Sequence, residues 1–545
     1  MSRNATPLPF RFPPYGLRFP ESVLPCPWYL ALPAALVGLG VLVPLAYLLT
    51  SAVSGDLNAI RDTLLRTRTL TTVLNTLGLA LAVLAVTTVL ALPAAWLTTR
   101  TDLPARRVFA ALLVLPLAVP GYLLAFTLLS VGGDYGASAR WLGVGVPRLS
   151  GFPGALVALS IYNFPYMLLT LRAGFRGVDP SLSDAARSLG RGPWSAFFTV
   201  VLPQLRPALL AGGLLVVLHV VGDFGVVSLM RFETFSFALY QSLAFEPGYA
   251  AWLALMMLGF SATFIGVELW LLRGKRFDKA GTGPGRGVIA VRLGRMKIPA
   301  VLALLLFLLI AVGVPVGTSV YWALQPKLDN VSRDLVEAAT ASVEVALPTA
   351  LAATALALPL AFMSVRYPGK RSRSLERLAF AGYATPGLAF GLALVWGSLW
   401  VDRFLVEPGE TFLYQSLTVM VYAYTLHFLA EAVGPVRASL VHAGRRLEEA
   451  SRSLGRGRVR TFTSVTLPLI RPGLIAAAAL VFLSAMKELP LAMLLRPYDF
   501  DTLAFSLWDL TNEALYAEAA PFALAILGVS LGFVAVLLLT EGSKN

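Results

Sequence analysis

The sequence predicts an all-α polytopic membrane protein with about 12 transmembrane helices, arranged as two parallel six-helix repeats. Three observations support this fold. The 545 residues are 57% hydrophobic and only 14% charged, with a mean hydropathy of +0.73, whereas soluble globular chains carry roughly 25% charged residues. Apolar runs near the roughly 20 residues that a spanning helix needs recur along the chain. A segment at 184–212 also recurs at 449–477, a constant offset of 265 residues.

The apolar runs fall into two sets of six. In the first half they lie at about 28–53, 72–98, 107–131, 151–171, 207–230 and 250–272. In the second half they lie at about 298–323, 341–365, 378–402, 415–436, 472–495 and 519–540. The predicted domains are therefore 28–272 and 298–545.

Two polar segments precede these domains. Residues 1–27 are proline-rich, and the apolar run after them is too long for a signal-peptide core, so it is expected to remain as a span. Residues 273–297 are rich in glycine and basic residues and are predicted to form a flexible cytoplasmic linker.

The placement of the basic residues predicts the orientation. With the N-terminus inside, 33 lysines and arginines lie on the cytoplasmic side and 10 on the opposite side, as the positive-inside rule requires. Both termini are then cytoplasmic. The halves enter the membrane in the same direction and are related by a pseudo-twofold axis along its normal. This placement also explains the net charge of +14 without nucleic acid.

The chain shows no sign of a metal or disulfide site. A single cysteine, Cys26, excludes an intrachain disulfide framework and a thiolate cluster. The histidines His219, His427 and His442 have no ligand spacing. His427 and Glu431 are four residues apart in a predicted span, where a hydrogen bond in helix packing is the favoured use.

The repeated segment is a polar loop that predicts two short helices. In the first copy, a Ser-x-x-acid capping pattern starts a helix at about Leu182. Gly190 ends it, because a left-handed terminal residue costs least without a Cβ. Pro193 then starts a second short helix, predicted to stop before Pro203.

The second copy predicts the same first helix over about 445–454, ended by Gly455. Each first helix has a small apolar face beside one acidic residue, Asp184 or Glu449. The face residues are Leu182, Ala185, Ala186 and Leu189 in one copy and Leu447, Ala450, Ser451 and Leu454 in the other. A helix lying on the membrane surface is the alternative, but a small face beside an anion suits a protein groove better.

The loop resembles the EAA loop of importer permeases of the ATP-binding-cassette class. The pattern is acid-Ala-Ala/Ser-x-x-x-Gly followed by Leu-Pro, here Leu202–Pro203 and Leu467–Pro468. The second copy matches closely, whereas the first has Asp184 in place of glutamate. The resemblance implies a type I importer fold with two fused permease domains. It assigns coupling to an ATPase to Asp184, Ala185, Ala186, Gly190, Glu449, Ala450, Ser451 and Gly455.

In that family the loop forms a coupling helix docked in a cleft of a cytoplasmic ATPase, and two fused domains would serve two ATPase copies. This chain lacks the phosphate-binding Gly-x-x-x-x-Gly-Lys-Ser/Thr pattern. It is therefore expected to be a transport subunit and not an enzyme, with no cofactor of its own and with ATP and Mg on the partner. The resemblance also implies an extracytoplasmic substrate-binding protein and a place in the bacterial cytoplasmic (inner) membrane.

A second matched segment carries charges within an apolar run. Asp223 in the first half matches Glu488 in the second, beside Lys487, and Pro490 would loosen the helix there. Ionisable groups in a span are costly and usually face a cavity or a partner. Two interpretations stay open: these four residues line the translocation path or its gate, or the charged ones form structural pairs that lock helices at the axis.

These segments are similar to the ferric-iron branch of such permeases, which itself is similar to thiamine, aminoethylphosphonate, sulfate and polyamine permeases. The predicted function is ATP-driven import of ferric iron, delivered by an extracytoplasmic binding protein, through alternating access. The other substrates remain alternatives. A twelve-span secondary carrier driven by an ion gradient is the alternative of another class, although it has little reason to carry duplicated acid-Ala-Ala loops.

Overall fold

The computed structural model describes residues 27–53, 66–272, 291–325, 331–369 and 410–542, and 372–407 apart from positions 373, 377–379, 381 and 384. The N-terminal segment and most of the predicted linker lie outside these ranges. Within them the chain is helical, and the β-structure consists of an isolated parallel bridge between Thr101 and Val291.

The first half contains twelve α-helices in the described ranges, in which each long helix is an apolar run and the short ones lie in the connections. They are α1 (Trp28–Val53), α2 (Thr67–Arg100), α3 (Arg106–Leu112), α4 (Gly121–Val131), α5 (Ala137–Leu142), α6 (Gly151–Gly177), α7 (Pro180–Ser188), α8 (Pro193–Ala196), α9 (Leu202–Gly222), α10 (Gly225–Leu229), α11 (Phe235–Ser242) and α12 (Pro247–Leu272). A 3-10 turn, Leu115–Ala118, follows α3.

The second half repeats this order. Its described helices are α13 (Lys297–Leu308), α14 (Val314–Ala323), α15 (Val331–Arg366), α16 (Gly387–Leu405), α17 (Leu417–Ala443), α18 (Arg446–Ser453), α19 (Arg458–Thr461), α20 (Leu467–Met486), α21 (Pro490–Leu495), α22 (Leu503–Asn512) and α23 (Tyr516–Gly542). A 3-10 turn, Gly294–Met296, precedes α13, and a π-helical turn, Leu309–Gly313, joins α13 to α14.

The all-α polytopic fold is confirmed. In the described ranges, eleven helices are long and apolar enough to cross a membrane, or 12 if one bent pair counts as a single span. This number agrees with the two sets of six apolar runs.

The span predicted over about 107–131 is bent. The chain turns by 84° between Ala118 and Gly121. Pro120 explains the break, because proline lacks a backbone N–H and restricts the residue before it to extended conformations. The second half has its counterpart at Pro386, which immediately precedes the first residue of α16.

The prediction that the second loop helix stops before Pro203 is wrong. A π-helical turn, Phe197–Val201, joins α8 to α9, and Phe462–Thr466 joins α19 to α20 in the same way. A proline ring crowds the carbonyl group four residues before it. The wider π turn takes the preceding carbonyl groups out of α-helical register, so the helix continues through the proline.

The first span of each half packs on the other half. The helix α1 lies against α15 and α16, and the ring centroids of Tyr47 and Trp400 are 6.1 Å apart. In return, Phe307 on α13 packs on Phe164 of α6 at a centroid distance of 4.2 Å, and α14 packs on α4. This exchange joins the halves in one continuous buried core.

Candidate functional site

Each repeated loop begins with a short helix that ends at a glycine, as predicted. Gly190 follows α7 with φ +80°, and Gly455 follows α18 with φ +79°. The backbone N–H of Arg191 donates to the carbonyl oxygen of Ala186 at 3.1 Å, which closes the end of α7. A residue with a Cβ is destabilised by about 1–2 kcal/mol in this left-handed region. This cost explains why glycine occupies both positions.

The loop helices present apolar side chains outward. Leu189 and Leu454 are 83% and 82% exposed. We define the docking stripes as the exposed residues Leu182, Ala185 and Leu189 on the first loop and Leu447, Ala450 and Leu454 on the second. Ala186 and Ser451 were predicted on the same face, but both are buried against the chain itself. The Ser451 hydroxyl lies 3.1 Å from the Thr461 hydroxyl.

The predicted acidic residues stand on these helices. Asp184 lies within α7 and Glu449 within α18. The Glu449 carboxylate is more than half exposed and pairs with Arg445 at 3.1 Å. An exposed pair of this kind contributes only about 0.3–0.5 kcal/mol, so Glu449 is available to a partner at little cost.

Sequence reasoning missed the neighbouring acid, Glu448. Its carboxylate is buried and accepts hydrogen bonds from Arg366 Nη2 at 2.8 Å and Thr466 Oγ1 at 3.3 Å. Arg366 also donates to the carbonyl oxygens of Leu440 and Gly444, at 3.3 Å each. Two adjacent glutamates were visible in the sequence, but nothing in the pattern indicated which one faces inward.

The first loop is held in a related way. Arg100, at the end of α2, donates to the carbonyl oxygens of Phe175 and Val178 at the end of α6. At the position of Glu448 the first copy has Ser183. The buried carboxylate is therefore a feature of the second loop.

The apolar runs predicted at 207–230 and 472–495 are both interrupted. The helix α9 ends just before Asp223, and α20 ends just before Lys487 and Glu488. The charged residues therefore lie at helix breaks and not inside continuous helices. The breaks expose backbone groups that need hydrogen-bond partners.

Each carboxylate provides such a partner. Asp223 Oδ1 accepts from the backbone N–H of Val226 at 2.9 Å, and Glu488 Oε1 accepts from that of Leu491 at 3.0 Å. They cap the short helices α10 and α21, a contact worth about 1 kcal/mol. Among the described residues, no ion pair joins Asp223, Lys487 or Glu488 to another side chain.

The two breaks face one central cavity of about 220 Å³, lined by both halves. Asp223, Lys487, Glu488 and Pro490 all lie in its wall. Its other polar side chains are Tyr122, Tyr162, Tyr166 and His219 from the first half and Tyr383, Thr385, His427, Glu431 and Ser484 from the second. A single water needs only about 10–15 Å³, so the cavity has room for an ion with several waters.

Hydrogen bonds join the halves across this cavity. The Tyr122 hydroxyl donates to the Lys487 carbonyl oxygen at 3.3 Å, and Lys487 Nζ donates to the Leu117 carbonyl oxygen at 3.3 Å. Within the second half, the Ser484 hydroxyl donates to Glu431 at 2.6 Å. Lys487 is thus held by the first half through two contacts.

Gly121 and Gly387, just after the prolines of the third spans, bring the backbone close to the capping residues. A Cβ on Gly121 would lie 2.8 Å from Val226 Cγ2 and 3.5 Å from Asp223 Oδ2, and one on Gly387 would lie 3.2 Å from Pro490 Cβ. The proline breaks and the capped breaks therefore pack on each other in both halves.

The described residues hold no group of three or more histidine, cysteine, aspartate or glutamate side chains that could bind a metal. His427 Nδ1 lies 3.2 Å from the Gly382 carbonyl oxygen. His427 and Glu431 both line the cavity, and they form hydrogen bonds with two different segments, at Gly382 and at Ser484. Glu431 could have been selected as an ionisable residue in a span, whereas the cavity tyrosines carried no distinguishing signal.

Comparison with known proteins agrees with this geometry. The family model of the binding-protein-dependent transport system inner membrane component matches twice, at residues 87–276 and 345–541. The Fe(3+)-transport system permease protein FbpB 2 of Haemophilus influenzae is 30% identical over 507 residues, covering 92% of this chain and 96% of the relative. This relative therefore aligns with both halves of the chain over nearly its whole length.

Shorter relatives match one part of the chain. The molybdenum transport system permease protein ModB of Azotobacter vinelandii is 33% identical over 37% of this chain and 94% of its own length. The sulfate transport system permease protein CysT of Escherichia coli is 34% identical over 24% of this chain and 48% of its own length. The chain therefore belongs to the family of binding-protein-dependent transport system inner membrane components, as a fused, multi-pass permease subunit and not an enzyme.

Proposed function

We propose that this chain is the transmembrane subunit of an ATP-driven importer that carries ferric iron by alternating access. The charge of the central cavity carries the proposal. Three carboxylates, Asp223, Glu431 and Glu488, line it together with one amine, Lys487. This excess of acidic over basic groups attracts a cation and opposes an oxyanion such as sulfate.

The comparisons support the same cargo. The relative that spans both halves is named for Fe(3+) transport, whereas those named for molybdenum and sulfate transport match 37% or less of the chain. Thiamine and polyamines are also cations that an acidic cavity would attract. Thiamine and a polyamine are therefore tested as alternative substrates beside iron.

The repeated loops are the proposed contacts with a cytoplasmic ATPase present in two copies, which holds ATP and Mg. The docking stripes offer exposed apolar side chains next to Glu449 or Asp184. The buried Arg366–Glu448 pair ties the second loop helix to α15. A displacement of α18 by the ATPase is therefore passed to a spanning helix.

Alternating access requires the two halves to rock about their axis. The contacts of Tyr122 with the Lys487 carbonyl group and of Lys487 Nζ with Leu117 join the halves at the cavity, and they are the ones proposed to break and re-form. A loaded binding protein docks on the extracytoplasmic loops near 231–249 and 496–518. Both termini and the repeated loops lie on the cytoplasmic side.

The test is uptake of radioactive ferric iron into proteoliposomes loaded with ATP and containing this chain, its ATPase and its binding protein. We expect ATP-dependent uptake that is lost in Glu449→Arg, because reversal of an exposed charge disturbs the ATPase contact. Glu431→Gln is expected to reduce iron uptake while leaving ATPase docking intact.

Uptake of thiamine, a polyamine, sulfate or a phosphonate without iron uptake would refute the iron assignment and keep the importer. Transport that is driven by an ion gradient and does not require ATP would refute the proposal of an ATP-driven importer.

A further inference from the structure

A second cavity, of about 310 Å³, lies between the start of α1 and the second repeated loop. We call it the interfacial cavity. Its walls include Leu30 on α1, Leu358 and Phe362 on α15, and Phe462 after α19. Arg452 and Arg458, at the two ends of the loop between α18 and α19, line its polar end. The site is therefore an apolar slot with a cationic rim.

Neighbouring residues indicate that this cavity lies at a surface of the membrane, and the second repeated loop in its wall assigns it to the proposed cytoplasmic side. Trp28 and Tyr29, at the start of α1, are 76% and 48% exposed, and exposed aromatic residues at helix ends are typical of the membrane–water interface. Phe362 and Leu358 lie one and two turns before the end of α15 at Arg366. The slot thus extends from the interface towards the lipid chains.

The charge at the rim is positive. Arg452 and Arg458 are exposed, and within the described part of the chain neither guanidinium has a hydrogen-bond or ion-pair partner. The acid in the wall, Glu448, is already paired with Arg366. Two uncompensated cations therefore face an apolar slot, and this combination matches an anionic head group attached to a hydrocarbon chain.

We propose that an anionic phospholipid of the cytoplasmic leaflet binds in the interfacial cavity. Its phosphate lies between Arg452 and Arg458, and one acyl chain fills the apolar slot. The chain's own residues 1–26 carry three arginines and one glutamate. Their net positive charge makes them a poor match for a cavity lined by Arg452 and Arg458. The inference rests on the proposed cytoplasmic position of the second loop and does not depend on the transported substrate.

The site is specific to the second loop. The first copy has Arg187 at the position of Arg452 but Pro193 at the position of Arg458, so it lacks the second cation. Because Arg452 stands on α18, a bound lipid contacts the coupling helix directly. The lipid would thereby stabilise one position of the second loop.

The experiment measures phospholipid retention by native mass spectrometry on the purified full-length chain, with equal amounts of phosphatidylglycerol and phosphatidylcholine. We expect preferential retention of phosphatidylglycerol, reduced about fivefold by either Arg452→Gln or Arg458→Gln. Leu358→Trp should reduce it as well, because the indole fills the slot without changing any charge. The control Arg460→Gln removes an exposed arginine of the same segment outside the cavity wall and should have no effect.

Equal retention of both lipids, or unchanged retention in Arg452→Gln and Arg458→Gln, would overturn the proposal. Glycerol phosphate serves as the soluble head group. If it binds with the same dependence on both arginines and Leu358→Trp has no effect, the site binds free phosphate and not a lipid. Each variant is first checked for an unfolding temperature equal to that of the wild type. If an arginine variant unfolds at a lower temperature, the retention measured for Leu358→Trp decides the result.

Discussion

Arg366, at the end of α15, and Glu448, on the loop helix α18, form an ion pair with an N–O distance of 2.8 Å. The two side chains are only 8% and 7% exposed. A buried charge pair is not by itself strongly stabilising, but removal of one partner leaves a charge without compensation. The pair therefore fixes the position of α18 relative to a spanning helix.

We expect Arg366→Met to destabilise the protein by about 3–5 kcal/mol, because Glu448 would remain buried and unpaired. The double variant Arg366→Met/Glu448→Leu should recover most of this loss. Thermal unfolding in detergent measures both. The matched control is Arg445→Met, which breaks the exposed pair with Glu449 and should cost no more than about 0.5 kcal/mol. Equal losses for Arg366→Met and Arg445→Met would contradict the anchoring role.

The second prediction concerns the glycines that follow the loop helices α7 and α18. Gly190→Pro and Gly455→Pro should uncouple ATP hydrolysis from transport, because proline requires φ near −65° and these residues have φ +80° and +79°. ATPase activity and uptake are measured together in proteoliposomes. The controls are Gly192→Ala and Gly457→Ala, where a Cβ meets no atom within 4 Å. Normal coupling in both proline variants would disprove the role.

The third prediction separates two roles of the capping carboxylates. Asp223→Asn keeps a side-chain acceptor for the N–H of Val226 and removes the charge, so stability should hold while iron uptake falls. Asp223→Ala also loses the cap and should cost about 1 kcal/mol more. Uptake and thermal unfolding are compared for both variants and for Glu488→Gln. If Asp223→Asn and Glu488→Gln lower the thermal stability but leave iron uptake unchanged, the two carboxylates have only a structural role.

The fourth prediction concerns Asp102, in the loop that follows α2. It pairs with Lys297 at 2.8 Å and accepts from the N–H of Leu293 at 2.8 Å, so it links the two halves. The hydrogen bond from Lys297 is the main cause that lowers the pKa of this carboxyl below its ordinary value. The contribution to stability is therefore complete at neutral pH and is lost as the pH falls through the lowered pKa.

Asp102→Asn should consequently melt below the wild type at pH 7, and the difference should shrink as the pH falls below about 4. The exposed Asp134→Asn serves as the control. If the difference in melting temperature stays the same at acidic pH, the loss of stability does not come from the ionised carboxylate.

Composition and repetition were sufficient to predict much of this protein. Hydrophobic length predicts spans, because a lipid-exposed backbone must satisfy its hydrogen bonds internally. The 265-residue repeat predicts two equivalent domains, and Gly190 and Gly455 predict helix ends, because the left-handed conformation is a property of a single residue. These features depend on local sequence or on its recurrence.

Only the tertiary structure decided which side chains meet. Contacts between distant segments determine three features. Glu448 pairs with Arg366, 82 residues away. Glu431 lies in the cavity wall, and α1 packs on the opposite half. The π turns before Pro203 and Pro468 were also missed, because helix rules treat proline as a stop and do not anticipate a wider turn before it. Periodicity indicates that a helix has faces, whereas its neighbours determine what each face contacts.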